Sequence, residues 1–207
     1  MYYDFFVKLR GDDLLRGINF LRTHGFVGAC FFEEFPENVE KFQVLKGVEL
    51  EANSVRELKS LLKSKNGNFT VLTTNNYNLL KIACQKGLVD AIHTDEINEV
   101  IAKFAAQTKV SLLIDFRRLL TAKDRSVRFY QMERSCSIAQ KKKMPIIIGS
   151  GATNYFELRA LSNLLSFSRL LGIKRYKEPF YLPQLEIIKR EKARVEGKYV
   201  MPGVVIE

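Results

Sequence analysis

The chain has 207 residues, 46% of them hydrophobic and 27% charged, which suffices for one well-packed core and shows no disordered bias. Its three cysteines, Cys30, Cys84 and Cys136, are odd in number and embedded in apolar stretches, which argues against a disulfide framework or a zinc site; no apolar run approaches the roughly 20 residues of a membrane span. The formal net charge of +10 is uneven: Lys+Arg and Asp+Glu number 14 each over residues 1–109, but 19 and 9 over residues 110–207.

Strand-like runs occur at YYDFFVK (2–8), FVGACFF (26–32), VLKGVEL (44–50), FTVLTT (69–74), VDAIHT (89–94), VSLLIDF (110–116) and PIIIGS (145–150). Amphipathic helical stretches lie between most of them: DDLLRGINFLRTHG, SVRELKSLLKSKNG, NNYNLLKIACQKG, EINEVIAKFAAQTK and DRSVRFYQMERSCSIAQKKK. Gly25, Gly67 and Gly87 stand where left-handed helix caps are expected. Apolar strands alternating with such helices predict a parallel sheet. About seven βα units without a Rossmann glycine fingerprint favour a closed barrel over an open sheet. The short link FEEFPENVEKFQ after the second strand predicts a distortion there. The expectation is an α/β fold, a distorted TIM-like (β/α) barrel forming a single domain over 1–207 with a basic half at 110–207. The opening MYYDFFVKLR has no basic leader before an apolar run, and predicts a soluble, cytoplasmic protein without membrane association.

A basic excess confined to half a domain suggests a polyanion-binding face, although charge alone does not separate that from a solubilising surface. The strand VSLLIDF runs into Arg117 and Arg118, and in such barrels the C-terminal strand ends form the functional face. The next helix begins near Asp124 and carries Arg125 and Arg128 in its first turn, where the helix dipole disfavours cations by a few tenths of a kcal/mol each. An anion explains this placement, because arginine forks and helix N-terminal amides converge on phosphate oxygens. The structural alternative pairs Arg117 with Asp115 or Asp124. The turn IIIGSGATNYFE offers Gly149 and Gly151 for close approach of a phosphate, or a plain βα turn capped by Asn154. Lys141, Lys142 and Lys143 close a helix and suit its dipole; Lys174, Arg175 and Lys177 in GIKRYK share that plain reading, on the basic half.

Autonomous catalysis finds little support. A metal-dependent phosphoesterase needs clustered histidine and carboxylate ligands, whereas the chain has only His24 and His93. His24 reads as a helix C-cap, and His93 lies at a strand end beside Asp95. No cysteine sits where a thiolate would be stabilised, and Glu49 and Glu51 share one strand face without a metal or a raised-pKa partner.

FRRLL followed by a helix that opens with DR, then an apolar strand closing in GSGA before a helix ending LLGI, resembles the ribonuclease P protein component 3 family, the thirty-kilodalton-type subunit of archaeal and eukaryotic ribonuclease P. GVELEA and VDAIHTDE also match, and the more specific features lie within 110–173. The resemblance implies a barrel similar to the polymerase-and-histidinol-phosphatase fold without its metal-binding histidines. It further implies a protein subunit of an RNA-based endoribonuclease that removes 5′ leaders from precursor tRNA. This chain would bind and stabilise the catalytic RNA, hold no cofactor itself and leave Mg²⁺ to the RNA. Partners would be the ribonuclease P RNA, a small RRM-like protein subunit and other protein subunits. The family pattern places its strand-end arginine at Arg117, its helix-start arginine at Arg125 and its small-residue turn at Ser150 and Ala152, while Arg118 stands where proline is expected. The candidate RNA-binding set is therefore Arg117, Arg118, Arg125, Arg128, Ser150, Gly151, Ala152, Lys174, Arg175 and Lys177. A stand-alone metal-dependent phosphoesterase and a sugar-phosphate enzyme using the GSGA turn are the alternatives.

Overall fold

Seven parallel strands, each hydrogen-bonded to the next in chain order, make up the central sheet: β1 (Tyr3–Val7), β2 (Gly28–Phe31), β3 (Gln43–Glu51), β4 (Phe69–Thr73), β5 (Ala91–His93), β6 (Ser111–Asp115) and β7 (Ile146–Gly149). The computed structural model describes residues 1–36, 39–64, 67–183 and 185–186, with the backbone of 199–201 and 204–205. Helices α1 (Asp12–Thr23), α2 (Val55–Ser64), α3 (Tyr77–Lys86), α4 (Glu99–Thr108), α5 (Phe116–Leu120), α6 (Arg125–Lys142) and α7 (Leu161–Leu170) follow the strands. None among the described residues is long and apolar enough to cross a membrane. All seven expected strands form, and the expected distortion lies between β2 and β3, whose link carries no helix among its described residues.

The strands are apolar on both faces because both are covered. Tyr3, Phe5, Phe6, Leu45, Phe69, Val71, Leu113 and Ile147 form one buried cluster inside the curved sheet, while neighbours such as Val7, Leu72, Ile92, Leu112 and Ile148 pack with the helices in a second. A register irregularity between Asp4 and Val7 turns both Phe5 and Phe6 inward.

No ladder joins β1 to β7, and the barrel closes by other means. Gly151 N donates to Phe6 O at 2.8 Å, Lys8 N donates to Ala152 O at 2.8 Å, and the Asp4 carboxylate accepts from Ser150 N at 2.9 Å and Phe6 N at 3.2 Å. Gly149 makes this approach possible, since a Cβ there would lie 2.4 Å from Phe6 Cβ and 2.7 Å from Phe6 N.

The sequence pattern of NYFELRALSNLLSFSRLLG, 154–172, reads as one helix whose apolar arc is wider than a barrel helix needs, left for the segment YVMPGVVIE or another protein subunit to cover; the structure corrects both points. The stretch 154–172 is not one helix: Asn154 caps a 3₁₀ turn, Tyr155–Glu157, and α7 starts only at Leu161. Its apolar arc is mostly covered by the chain itself, with Leu158, Leu161, Leu164, Phe167 and Leu171 buried and only Phe156 and Leu170 well exposed. How the closing stretch YVMPGVVIE bears on that arc lies outside the described residues, beyond the antiparallel pairing of Tyr199–Met201 with Val204–Val205.

Replacing Gly149 by Ala is expected to lower stability by about 1–3 kcal/mol or more in a denaturant melt, because the added methyl meets β1 backbone that cannot yield cheaply. Asp4 predicts a pH signature. Burial pushes its carboxyl up to about 6, so between roughly pH 4 and 6 the folded chain retains a proton that the unfolded chain has released. Stability should therefore fall as pH rises through that window, by on the order of 3 kcal/mol relative to Asp4→Asn, which keeps an acceptor oxygen but cannot ionise. Parallel melting curves of the two proteins from pH 4 to 7 check this.

Candidate nucleic-acid interface

The C-terminal strand ends bring together side chains from five strands or their first following residues. Lys8 after β1 forms an ion pair with Glu49 of β3, whose Oε1 also accepts from Thr73 Oγ1 at 2.6 Å. With that hydroxyl proton committed to Glu49, His93 Nδ1 at 3.2 Å donates to Thr73 Oγ1, and the Nε2 side faces Asp115 Oδ2 at 3.8 Å with no hydrogen-bond partner. Burial opposes ionisation of Glu49, but His93, Lys8 and Thr73 outweigh it and bring its carboxyl down to about 2. Burial dominates at Asp115 and pushes its carboxyl up, against the opposing charge of Arg118 and the hydrogen bond from Arg117 N.

Among the described residues no group of three or more His, Cys, Asp or Glu side chains is arranged to hold a metal ion, and the Lys8 ammonium occupies Glu49. Glu51, on the same strand, is exposed beyond the mouth. His24 caps α1 as expected, with its ring stacked on Phe20 at 4.0 Å.

Around the mouth lies a rim of arginines held by two carboxylates. β6 passes directly into α5, whose first turn is capped by Asp115 through Arg117 N at 2.9 Å. The Arg117 Nε donates to Glu157 Oε2 at 2.8 Å, so its partner is neither Asp115 nor Asp124; the latter caps α6 through Val127 N. Burial opposes ionisation at Glu157, yet Thr153 and Arg117 hold its carboxyl below the usual range. Asp95, in the loop after β5, accepts from Arg118 Nη1 at 3.0 Å and from Arg128 Nη1 at 2.5 Å through one oxygen. Burial again works against the charge, but Arg128, Asn75 and Arg118 keep the Asp95 carboxyl below its ordinary range. Arg125 is exposed and donates to Leu120 O at 3.2 Å.

Ser150, Gly151 and Ala152 are buried, which removes them from the surface expected for them. Gly151 has φ +67°, and a Cβ there would lie 1.8 Å from Asp115 Oδ1, so the glycine accommodates the chain's own carboxylate rather than a phosphate. Ser150 O accepts from Arg117 N at 3.0 Å, which makes this turn a support for the rim.

The remaining basic candidates fall at the other end of the barrel. Gln140 near the end of α6 donates to Gly172 O and accepts from Lys174 N, both at 3.0 Å, placing Lys174 and Arg175 beside Lys143 at the N-terminal strand ends. The 18 residues of α6 separate this cluster from the rim by roughly 25 Å. Lys177 is exposed close to Tyr176. Lys109 and Lys143 take left-handed caps with φ 59° and 60°, positions that glycine fills at less cost, as Gly87 does for α3.

Lys8→Ala should strip Glu49 of its counter-ion beside Asp115 and cost about 1–3 kcal/mol at pH 7, a partly buried pair being worth less than a fully buried one. Because Glu49 has a depressed pKa, its contribution is present above about pH 4.5 and lost as pH falls toward 2. The difference between wild-type and Lys8→Ala melting curves should shrink over the same range.

A family model described as RNase P subunit p30 matches residues 1–178. The chain is 23% identical over 184 residues to ribonuclease P protein component 3 of Methanococcus maripaludis, covering 84% of this chain and 79% of that one. It is 25% identical over 195 residues to the protein of the same description from Methanosarcina acetivorans, covering 84% and 82%. Its fold resembles a chain in the cryo-EM structure of archaeal ribonuclease P with mature tRNA, with TM-score 0.79, 18% identity and coverage of 98% and 97%. It also resembles histidinol phosphate phosphatase of Lactococcus lactis, crystallised with zinc, L-histidinol and phosphate, with TM-score 0.57, 13% identity and coverage of 84% and 93%. The two structural likenesses concern the fold; the family model takes in all seven strands of the barrel and the whole arginine rim, and the chain belongs to the RNase P subunit p30 family.

Proposed function

We infer that the chain is a protein subunit of ribonuclease P, the ribonucleoprotein that removes 5′ leaders from precursor tRNA, and that it binds and stabilises the catalytic RNA rather than supplying reacting groups. Membership of the RNase P subunit p30 family carries this reading. The reaction is assigned to the assembly, with Mg²⁺ held by RNA. The ribonuclease P RNA, a small RRM-like protein subunit and further protein subunits are the partners proposed.

The RNA-facing surface is assigned to the rim. Arg117, Arg118, Arg125 and Arg128 stand on the C-terminal face of the barrel, and each guanidinium offers more N–H donors than its internal partner consumes. A curved, phosphate-binding surface suits structured RNA recognised by shape. Lys174, Arg175 and Lys177, a helix length away, are assigned a second contact, so that one rigid barrel bridges two RNA segments. Ser150, Gly151 and Ala152 act from beneath, by fixing the main chain of Arg117. No observation favours a stand-alone phosphoesterase, whose metal ligands would have to share the mouth with Lys8.

Addition of the chain to the RNA subunit and the other protein subunits should raise precursor-tRNA cleavage, whereas the chain alone with Mg²⁺ or Mn²⁺ should cleave nothing. Arg117→Ala/Arg125→Ala/Arg128→Ala should weaken RNA binding and flatten the plot of log affinity against log salt by roughly two units, at about 0.7–0.9 for each phosphate that is no longer neutralised. Its unfolding midpoint should move little, since Arg117 and Arg128 make partly exposed ion pairs and Arg125 is an exposed side chain on a backbone carbonyl. Replacement of Lys59, Lys63 and Lys86, exposed lysines of α2 and α3 outside both assigned contacts, removes equal charge and should flatten the slope less; equal flattening would mean bulk charge rather than a rim.

A further inference from the structure

A carboxylate in the middle of an RNA-facing surface repels phosphate, and Asp95 occupies that position. It takes up the charge of one arginine yet contacts two, through the same Oδ1 atom. The Nη1 atoms of Arg118 and Arg128, at 3.0 and 2.5 Å from that oxygen, are therefore within about 5.5 Å of each other. Two guanidinium groups so close repel, and one carboxylate offsets only half of their charge. An anion of one further negative charge completes the balance.

Asp95 is itself immobilised from the neighbouring loop. Asn75 Nδ2 donates to Asp95 Oδ2 at 2.7 Å, and Asn75 Oδ1 accepts from Asp95 N and Thr94 Oγ1, both at 2.9 Å. The chain thus joins the loops after β4 and β5, helix α5 and the first turn of α6 at one acid. Stability alone gives little reason for this, because partly exposed ion pairs contribute little. Orientation gives a stronger one. Long arginine side chains lose rotamer freedom when they clasp a ligand, and a pair already ordered loses less. With one nitrogen of each fork turned to Asp95, the other donors of Arg118 and Arg128 remain for phosphate oxygens.

We propose that Asp95 is a positioning residue which holds Arg118 and Arg128 as a preformed clamp for one RNA backbone phosphate. This rests on the rim being the RNA face, as inferred above.

The test turns on a sign. Asp95→Asn makes the chain more positive by one charge. If Asp95 only dilutes the positive field, the variant binds the ribonuclease P RNA more tightly; if it positions the clamp, affinity falls about tenfold despite the added charge. Binding would be titrated for full-length wild type, Asp95→Asn, Arg118→Ala/Arg128→Ala, and the three changes combined. A clamp requires that Asp95→Asn weaken binding alone and not weaken it further once both arginines are absent, a pattern that a general folding defect would not produce. Wild-type or tighter binding by Asp95→Asn, or a loss that persists without the arginines, overturns the proposal. Wild-type binding by the double arginine variant would instead remove the rim from the RNA face. Asn75→Ala leaves the charge unchanged and loosens Asp95, so it should weaken binding in the same direction; if Asp95→Asn does not fold, an unaltered affinity for Asn75→Ala overturns the proposal.

Discussion

The structure depends on how the first strand meets the seventh. A sheet of seven parallel strands has two edges, and an exposed edge leaves backbone donors and acceptors unpaired. Here the edges meet without a ladder. The buried carboxylate of Asp4 takes the Ser150 amide, and two crossing hydrogen bonds from Gly151 and Lys8 complete the seam. Burying that carboxylate is costly, as its raised pKa records. The same seam holds the irregularity in β1 and the close approach of Phe6 to Gly149.

The seam reaches the surface through Ser150. Its amide is held by Asp4, and its carbonyl accepts the main-chain N–H of Arg117. The side chain of Arg117 then meets Glu157, on the turn that follows the same strand. A buried contact between the two sheet edges is thereby linked, in two hydrogen bonds, to the aim of a rim arginine. The GSGA turn contributes to function from below the surface: small residues there admit the chain's own backbone and the Asp115 carboxylate.

The mouth and the rim carry different electrostatics. Within the mouth, one ammonium, one imidazole and two carboxylates are enclosed and largely satisfy one another, so Glu49 is driven to low pKa while Asp115 is driven up by burial. At the rim, each acid serves basic side chains that retain further donors, which leaves excess positive charge at the surface. A barrel of the type that in a bacterial phosphatase was crystallised with zinc and phosphate here has a lysine–glutamate pair in its mouth and arginines around it.

Local sequence determined the elements. Strands apolar on both faces and helices with one apolar stripe announce an alternating barrel whatever their neighbours, and the side-chain caps at Asn76, Asn98 and Asp124 act within three residues of themselves. Sequence also placed Arg117, Arg118, Arg125 and Arg128 at the C-terminal face, because that follows from position along a strand–helix unit. The lysine caps at 109 and 143 were missed, since glycine is the ordinary signal for a left-handed residue. Only tertiary structure decided the partners. Arg117 finds Glu157 forty positions away, Arg128 finds Asp95 thirty-three away, and Asp4 finds Ser150 across 146. It also divided the basic candidates between two ends of the barrel, for a residue's height is set by where its strand or helix begins, and buried Ser150 and Ala152 beneath the surface expected for them. Charge and spacing in a linear chain state which groups exist; which of them meet depends on closure of the sheet, and that requires every strand at once.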